Sequence, residues 1–157
     1  MGVRQIGARV HRVEDDNLIR GEGKYLDDIQ LPNMGYAAFL RSSMAHAKIS
    51  ITDTEAARTL DGVQAVFTYD TLPSSLVSKT QLETYPAPII KQSMCPELLA
   101  NDEVAHVGQA IAMVIANTRH VAEDACELIQ VEYTPLTPVV DVIKAAKSDS
   151  QLTHSSL

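Results

Sequence analysis

The uninterrupted apolar run Ala110-Ile111-Ala112-Met113-Val114-Ile115-Ala116 constrains this chain more than any other feature. It is far too short to cross a bilayer, and the lack of polar alternation fits a strand covered on both faces. Such a strand needs neighbours on its edges and a layer above it, and the residues that follow supply one. Asn117 is placed to cap a helix over Thr118 to Ile129, in which Val121, Ala125 and Leu128 form one stripe with Ala122, Cys126 and Ile129 beside it. Arg119, Glu123, Asp124 and Glu127 take the outer side. Ile129-Gln130-Val131-Glu132-Tyr133 then alternates as a closing strand, which Pro135 and Pro138 keep from entering a regular sheet interior.

The preceding half follows the same logic. Tyr36-Ala37-Ala38-Phe39-Leu40 and Ile49-Ser50-Ile51 read as short strands on either side of a Ser42 to Ala47 connection. A helix starts at Asp53 or Thr54, with Glu55 in its positive first turn, Ala56, Ala57 and Leu60 inward and Gly62 at its end. Val63 to Thr68 is the next strand. Between Tyr69 and about Ala100, Pro73, Pro86, Pro88 and Pro96 mark a long loop, a candidate interface element. The order strand, strand, helix, strand, loop, strand, helix, strand predicts an α+β fold, a mixed sheet with helices packed on one side.

Three segments are expected. Residues 1–31 are polar, without sustained periodicity, and form an extended arm ordered by a partner surface, because they bury too little of their own apolar area. Residues 32–144 form the domain, and 145–157 read as a truncated linker.

Composition removes several function classes. The net charge of −7 comes with no basic stripe, so nucleic acid is not an expected partner. No run spans a membrane and the start lacks the apolar core of a secretory signal, which makes the cytoplasm the expected location. Cys95 and Cys126 are isolated thiols, too few for an iron–sulfur site.

No motif assembles catalysis. Gly21-Glu22-Gly23-Lys24 lacks the spacing, the following Ser or Thr and the strand-to-helix context of a phosphate loop, so its glycines are turn formers. Asp15-Asp16 and Asp27-Asp28 are adjacent pairs that point opposite ways on an extended chain and cannot share one ion. His11, His46, His106, His120 and His154 show no helical metal spacing. His46 is the one to watch, and hydrogen bonding to backbone carbonyls in a tight turn explains it better than catalysis. No Gly-x-Ser-x-Gly elbow exists for a nucleophile.

Ordered markers along the chain carry a family resemblance. Arg12-Val13-Glu14-Asp15 precedes Gly21-Glu22-Gly23-Lys24-Tyr25-Leu26-Asp27-Asp28-Ile29, and Arg41-Ser42-Ser43-Met44-Ala45-His46-Ala47-Lys48-Ile49 follows. Thr52 to Ala57, Asp61 to Thr68, Val107-Gly108-Gln109-Ala110-Ile111-Ala112, Ala122-Glu123-Asp124-Ala125 and Val131 to Leu136 complete the pattern. The whole resembles the amino-terminal α/β hammerhead domain of the molybdenum hydroxylase large subunit, the family of xanthine dehydrogenase, aldehyde oxidase and carbon monoxide dehydrogenase-like enzymes. Two positions depart from it: Ala105-His106 stands where a basic residue is common, and Asp61-Gly62 replaces Pro-Gly.

The resemblance implies a scaffold that packs against molybdenum-binding domains or a molybdenum-binding subunit and helps join them to an iron–sulfur subunit. It places the catalytic and cofactor-holding residues beyond this chain, so no catalytic, cofactor or metal residue is assigned, and Gln109 is not equated with the glutamine near the metal. The complete complex would carry molybdopterin cofactor, iron–sulfur clusters and FAD or another acceptor, and act on aldehydes or N-heterocycles. Arg12, Tyr25, Asp28, Arg41 and His46 are the candidate interface residues. A free-standing adaptor or cofactor-delivery module is the alternative, and a small-molecule hydrolase is a weaker third.

Overall fold

The computed structural model describes residues 7, 12–77 and 97–155, divided between two compact units, 1–34 and 35–157. The expectations for His11, Cys95, Pro86, Pro88 and Pro96, and for residues 78–96 of the long connection, lie outside the described residues.

The first unit is less extended than expected. It contains a short helix, α1 (Asp15–Ile19), and a 3-10 turn, Leu26–Asp28, with no buried residue in either. Their own carboxylates close them. Asp15 accepts from the Arg12 backbone N–H at 3.3 Å, Asp28 accepts from the Tyr25 N–H at 2.9 Å, and Arg20 pairs with Asp16 one turn away. Both acidic doublets therefore serve helix starts, where negative charge is favourable. Five residues are too few for hydrophobic periodicity to reveal.

The second unit runs β1 (Tyr36–Arg41), β2 (Ala47–Asp53), α2 (Glu55–Thr59), β3 (Val63–Phe67), α3 (Ser74–Val77), β4 (Glu103–Val104), β5 (Ala110–Ala116), α4 (Arg119–Glu127), β6 (Gln130–Pro135) and α5 (Val142–Ala145). The α+β hammerhead class stands, but the single mixed sheet becomes two antiparallel sheets, ordered β1-β5-β3 and β4-β2-β6. The reason lies in the crossings. β2-α2-β3 passes from the second sheet to the first, and β5-α4-β6 passes back, so neither strand–helix–strand unit makes a parallel pair.

β5 is the shared wall. Ala112 and Val114 face α2 and α4 in one core cluster with Ala57, Val66, Ala125, Cys126 and Ile129. Ile111 enters a second cluster with Ala47, Ile49, Ala100 and Val104. Successive strand side chains point to opposite faces, so two cores on one strand require apolar residues at consecutive positions.

Several local expectations shift. Thr118, not Asn117, caps α4, its side chain accepting from the Val121 N–H at 3.2 Å. Asn117 is used in a turn, where its N–H donates to the Gly62 carbonyl at 2.9 Å. Gly62 has φ +89°, and a Cβ there would lie 2.6 Å from the Asn117 side chain, so the turn needs glycine twice over. The buried face of α4 is Ala122, Ala125 and Cys126, continued by Ile129, while Leu128 is exposed. Small side chains let the helix sit close to β5. In α2 only Ala57 is buried, with Leu60 half-buried and Ala56 exposed.

The chain leading into the expected linker, and the linker itself, have structure. Asp141 caps α5 by accepting from the N–H groups of Ile143 and Lys144 at 3.0 and 3.1 Å. Beyond it the chain folds back, and the Ser155 N–H donates to Glu103 at 3.2 Å.

Ile111 is fully buried and Val107 is 63% exposed. Ile111→Ala is expected to lower unfolding free energy by about 3 kcal/mol, whereas Val107→Ala should change it by less than about 0.5 kcal/mol. Urea denaturation of the two variants measures the difference.

Candidate functional site

The connection between β1 and β2, residues 42–46, is tied down on two sides. Ser42 is buried, and its hydroxyl donates to the Met44 carbonyl and accepts from the Met44 N–H at 2.9 and 3.0 Å. Its N–H donates to the Gln109 carbonyl, and the Gly108 N–H donates to the Ser42 carbonyl, each at 2.8 Å. Gln109 also accepts from the Ala105 N–H through its side chain at 2.8 Å, which gives it a loop-fixing role. Arg41 donates to the Gly108 carbonyl at 2.9 Å while its guanidinium lies 5.4 Å from the Phe39 ring centre. That is cation–π range.

His46 ends this connection, 5% exposed. Its Nδ1 lies 2.8 Å from the Thr137 carbonyl oxygen and its Nε2 lies 2.6 Å from Glu103 Oε1. The Leu136 N–H donates to the His46 carbonyl at 2.9 Å. The backbone-carbonyl bond expected of His46 exists, but its acceptor is 91 residues away rather than in a local turn. The hydrogen bond to Glu103, and secondarily the one to Thr137, hold the imidazole above its ordinary value of 6.5 against the opposing effect of burial. Burial pushes the Glu103 carboxyl up, yet hydrogen bonds from Ser155 and His46 outweigh it and hold the group below 4.5. Both groups are therefore shifted toward their charged forms.

Ser155, Glu103 and His46 are not a nucleophilic triad. The Ser155 hydroxyl is bonded to Glu103, not to the imidazole, so the histidine cannot take its proton. The structure thus places the candidate residues in different roles. Arg12, Tyr25, Asp28 and Arg41 are exposed, while His46 has its polar atoms committed within the chain. Tyr25 and Asp28 meet locally, and Arg41 and His46 flank one connection. Glu103, Thr137 and Ser155 escaped sequence reasoning, because no motif or spacing links positions so far apart.

Other features carry less. A groove of about 510 Å³ between the β2–α2 junction and residues 68–71 is lined mainly by polar side chains, among them Asp53, Arg58 and Asp70. Among the described residues no buried side-chain polar atom lacks a partner, so none is left aimed at a ligand. Burial raises the Cys126 thiol, which makes it a packing residue rather than a nucleophile. No group of three or more His, Cys, Asp or Glu among the described residues could hold a metal.

Glu103→Ala leaves the imidazole without its charged partner in a buried place. The expected cost is about 2 kcal/mol at pH 6, and about half that for Glu103→Gln, which keeps an acceptor. Chemical denaturation of the two variants tests the ordering.

The family model described as the aldehyde oxidase and xanthine dehydrogenase a/b hammerhead domain matches residues 20–137. The carbon monoxide dehydrogenase large chain of Afipia carboxidovorans is 38% identical over 97% of this chain and 18% of its own length. The nicotine 6-hydroxylase large subunit of Paenarthrobacter nicotinovorans is 40% identical over 89% of this chain and 17% of its own. Quinoline 2-oxidoreductase from Pseudomonas putida 86 superposes with a TM-score of 0.77 at 36% identity, covering 94% of this chain and 18% of that one. The chain spans under a fifth of the length of each of these proteins.

Proposed function

The chain belongs to the a/b hammerhead domain family of aldehyde oxidase and xanthine dehydrogenase, and we propose that its working context is a complete molybdenum-dependent hydroxylase or dehydrogenase. The domain itself is a structural part of that family of enzymes. Its proposed partners are molybdenum-binding domains or a molybdenum-binding subunit, and an iron–sulfur subunit. The proposed substrate is an aldehyde or an N-heterocycle, hydroxylated at carbon with water. Molybdopterin cofactor, iron–sulfur clusters and FAD or another acceptor, held elsewhere, would supply the oxidation and carry its electrons. Among the described residues of this chain no group of three or more His, Cys, Asp or Glu could hold a metal ion. The proposed compartment is the cytoplasm, and no helix among the described residues is long and apolar enough to cross a membrane.

The observation that carries this reading is the extent of the match: nearly the whole chain aligns to under a fifth of each relative. The first unit adds a physical reason for partners. Val13 is 97% exposed, Ile19 85%, Leu26 89% and Tyr25 65%, a set of apolar side chains whose contact with water a covering surface would relieve. The arm, with Arg12, Tyr25 and Asp28, is proposed to lie against the molybdenum-binding part. Arg41 with Phe39 and Val107 offers a second contact surface on the other unit. His46 supports that surface from beneath through the 42–46 connection.

Native purification from its own cells, with mass spectrometry of co-eluting chains and metal analysis of the same fraction, tests the proposal. Co-elution with molybdenum-binding and iron–sulfur chains, or their presence as one larger polypeptide, together with both metals is expected. A lone, metal-free chain would leave the adaptor reading instead. Leu26→Asp should reduce recovery of the partner by about tenfold, while the urea midpoint of the chain itself stays unchanged because Leu26 is almost fully exposed.

A further inference from the structure

The neighbourhood of His46 poses a proton-counting problem. Both ring nitrogens face acceptors: the Thr137 carbonyl oxygen, which cannot donate, and Glu103 Oε1. A neutral imidazole has one N–H, so one of the two contacts would set lone pair against lone pair. One proton shared between Nε2 and Glu103 Oε1, with Oε2 left to accept from the N–H and the hydroxyl of Ser155, satisfies every partner. The raised imidazole and the lowered carboxyl put that proton on the ring, so the folded pair holds an imidazolium.

Most of those partners belong to one stretch of chain. Thr137 and Ser155 lie beyond β6, and Gln151 ties that stretch to itself by donating to the same Thr137 carbonyl at 3.0 Å. Leu136 contributes its N–H to the His46 carbonyl. On the other side stand the start of β2 and Glu103 of β4, which pairs with Lys48 in the second sheet. We propose that His46 acts as a proton-dependent clasp: as an imidazolium it holds the segment 136–155 against the start of β2 and β4, and loss of the proton releases that segment.

Glu103 from β4 is the titratable group bonded to the ring. The connection contributes Ser42 and Met44, β2 contributes Ala47, and the held segment contributes Leu136, Thr137, Gln151 and Ser155, none of which titrates near neutrality. Asp102 and His154, the titratable neighbours of Glu103 and Ser155 in sequence, make none of these hydrogen bonds. A histidine raised by folding stabilises fully below 6.5 and loses that contribution as pH rises through its raised value. A carboxyl lowered by folding stabilises above 4.5 and loses its contribution as pH falls through its lowered value. The clasp is therefore closed in mildly acidic solution and opens toward alkaline pH. The segment it holds carries Val140, Val142 and Ile143 largely exposed, so the proton also determines where that apolar surface is held.

The test uses the 157-residue chain. Nitrogen-15 NMR of His46 reports both ring nitrogens, and amide exchange, corrected for its intrinsic pH dependence, reports the segment. His46 is expected to carry two N–H protons at pH 6 and to titrate above 6.5. Through that titration the Ser155 and Leu136 amides should lose about tenfold in protection, while the Val114 amide in β5 does not change. Ser155→Ala should expose the Gln151 to Ser155 stretch at every pH while His46 still titrates. Titration of His46 at or below 6.5, protection that stays flat through its titration, or a segment indifferent to Ser155→Ala would each overturn the proposal.

Discussion

Strand β5 carries buried side chains on both faces, Ala112, Val114 and Ala116 on one and Ile111 on the other, and the second unit is arranged around them. Its hydrogen-bonding edges are taken by β1 and β3, and its side chains enter two different cores. A polar side chain at any of those four positions would leave water and would need a partner inside the fold. The helices follow from it. Ala57 of α2 and Ala122 and Ala125 of α4 are fully buried, and their small size lets two helix axes approach the sheet without voids. Because α2 and α4 each begin in one sheet and end in the other, the same packing that covers β5 also fixes the second sheet beside the first.

Where the apolar logic ends, a polar joint takes over. The 42–46 connection cannot bury itself by hydrophobic contact alone, since Ser42 and His46 bring polar atoms inside. Each finds partners: Ser42 within its own turn and against Gly108 and Gln109, His46 against Glu103 and Thr137. A buried ion pair is weak evidence of added stability but good evidence of a specified geometry, because leaving either charge alone is costly. Here the geometry specified is the seating of the chain beyond β6.

The sequence reading and the structure part company in instructive places. Five of the six strands and the helices α2 and α4 are legible in the sequence, from apolar runs or from a capping residue and a closing glycine, whereas β4, two residues long, leaves no pattern. α1 leaves no trace in the apolar pattern because it has no buried face and is organised by Asp15, Asp16 and Arg20. In α4 the row Ala122, Cys126 and Ile129, expected beside the main stripe, is buried with Ala125, whereas Leu128 stands outside, because the two adjacent apolar rows are nearly equivalent by pattern. Asn117 and Thr118 are both good caps, and the choice between them depends on Gly62, more than fifty positions away, which draws Asn117 into its turn.

The amino-acid sequence alone determined that this chain has a doubly covered strand, two packing helices, an acidic surface without a basic stripe, and a family pattern running through nearly its full length. These are properties of neighbours along the chain, where periodicity and capping act. Only the tertiary structure decided that the strands divide into two antiparallel sheets and that His46 meets Glu103 and Thr137, 57 and 91 positions away. Pairing between distant strands and the protonation of a buried side chain depend on what folding brings together and what it removes from water, and neither leaves a local trace in the order of residues.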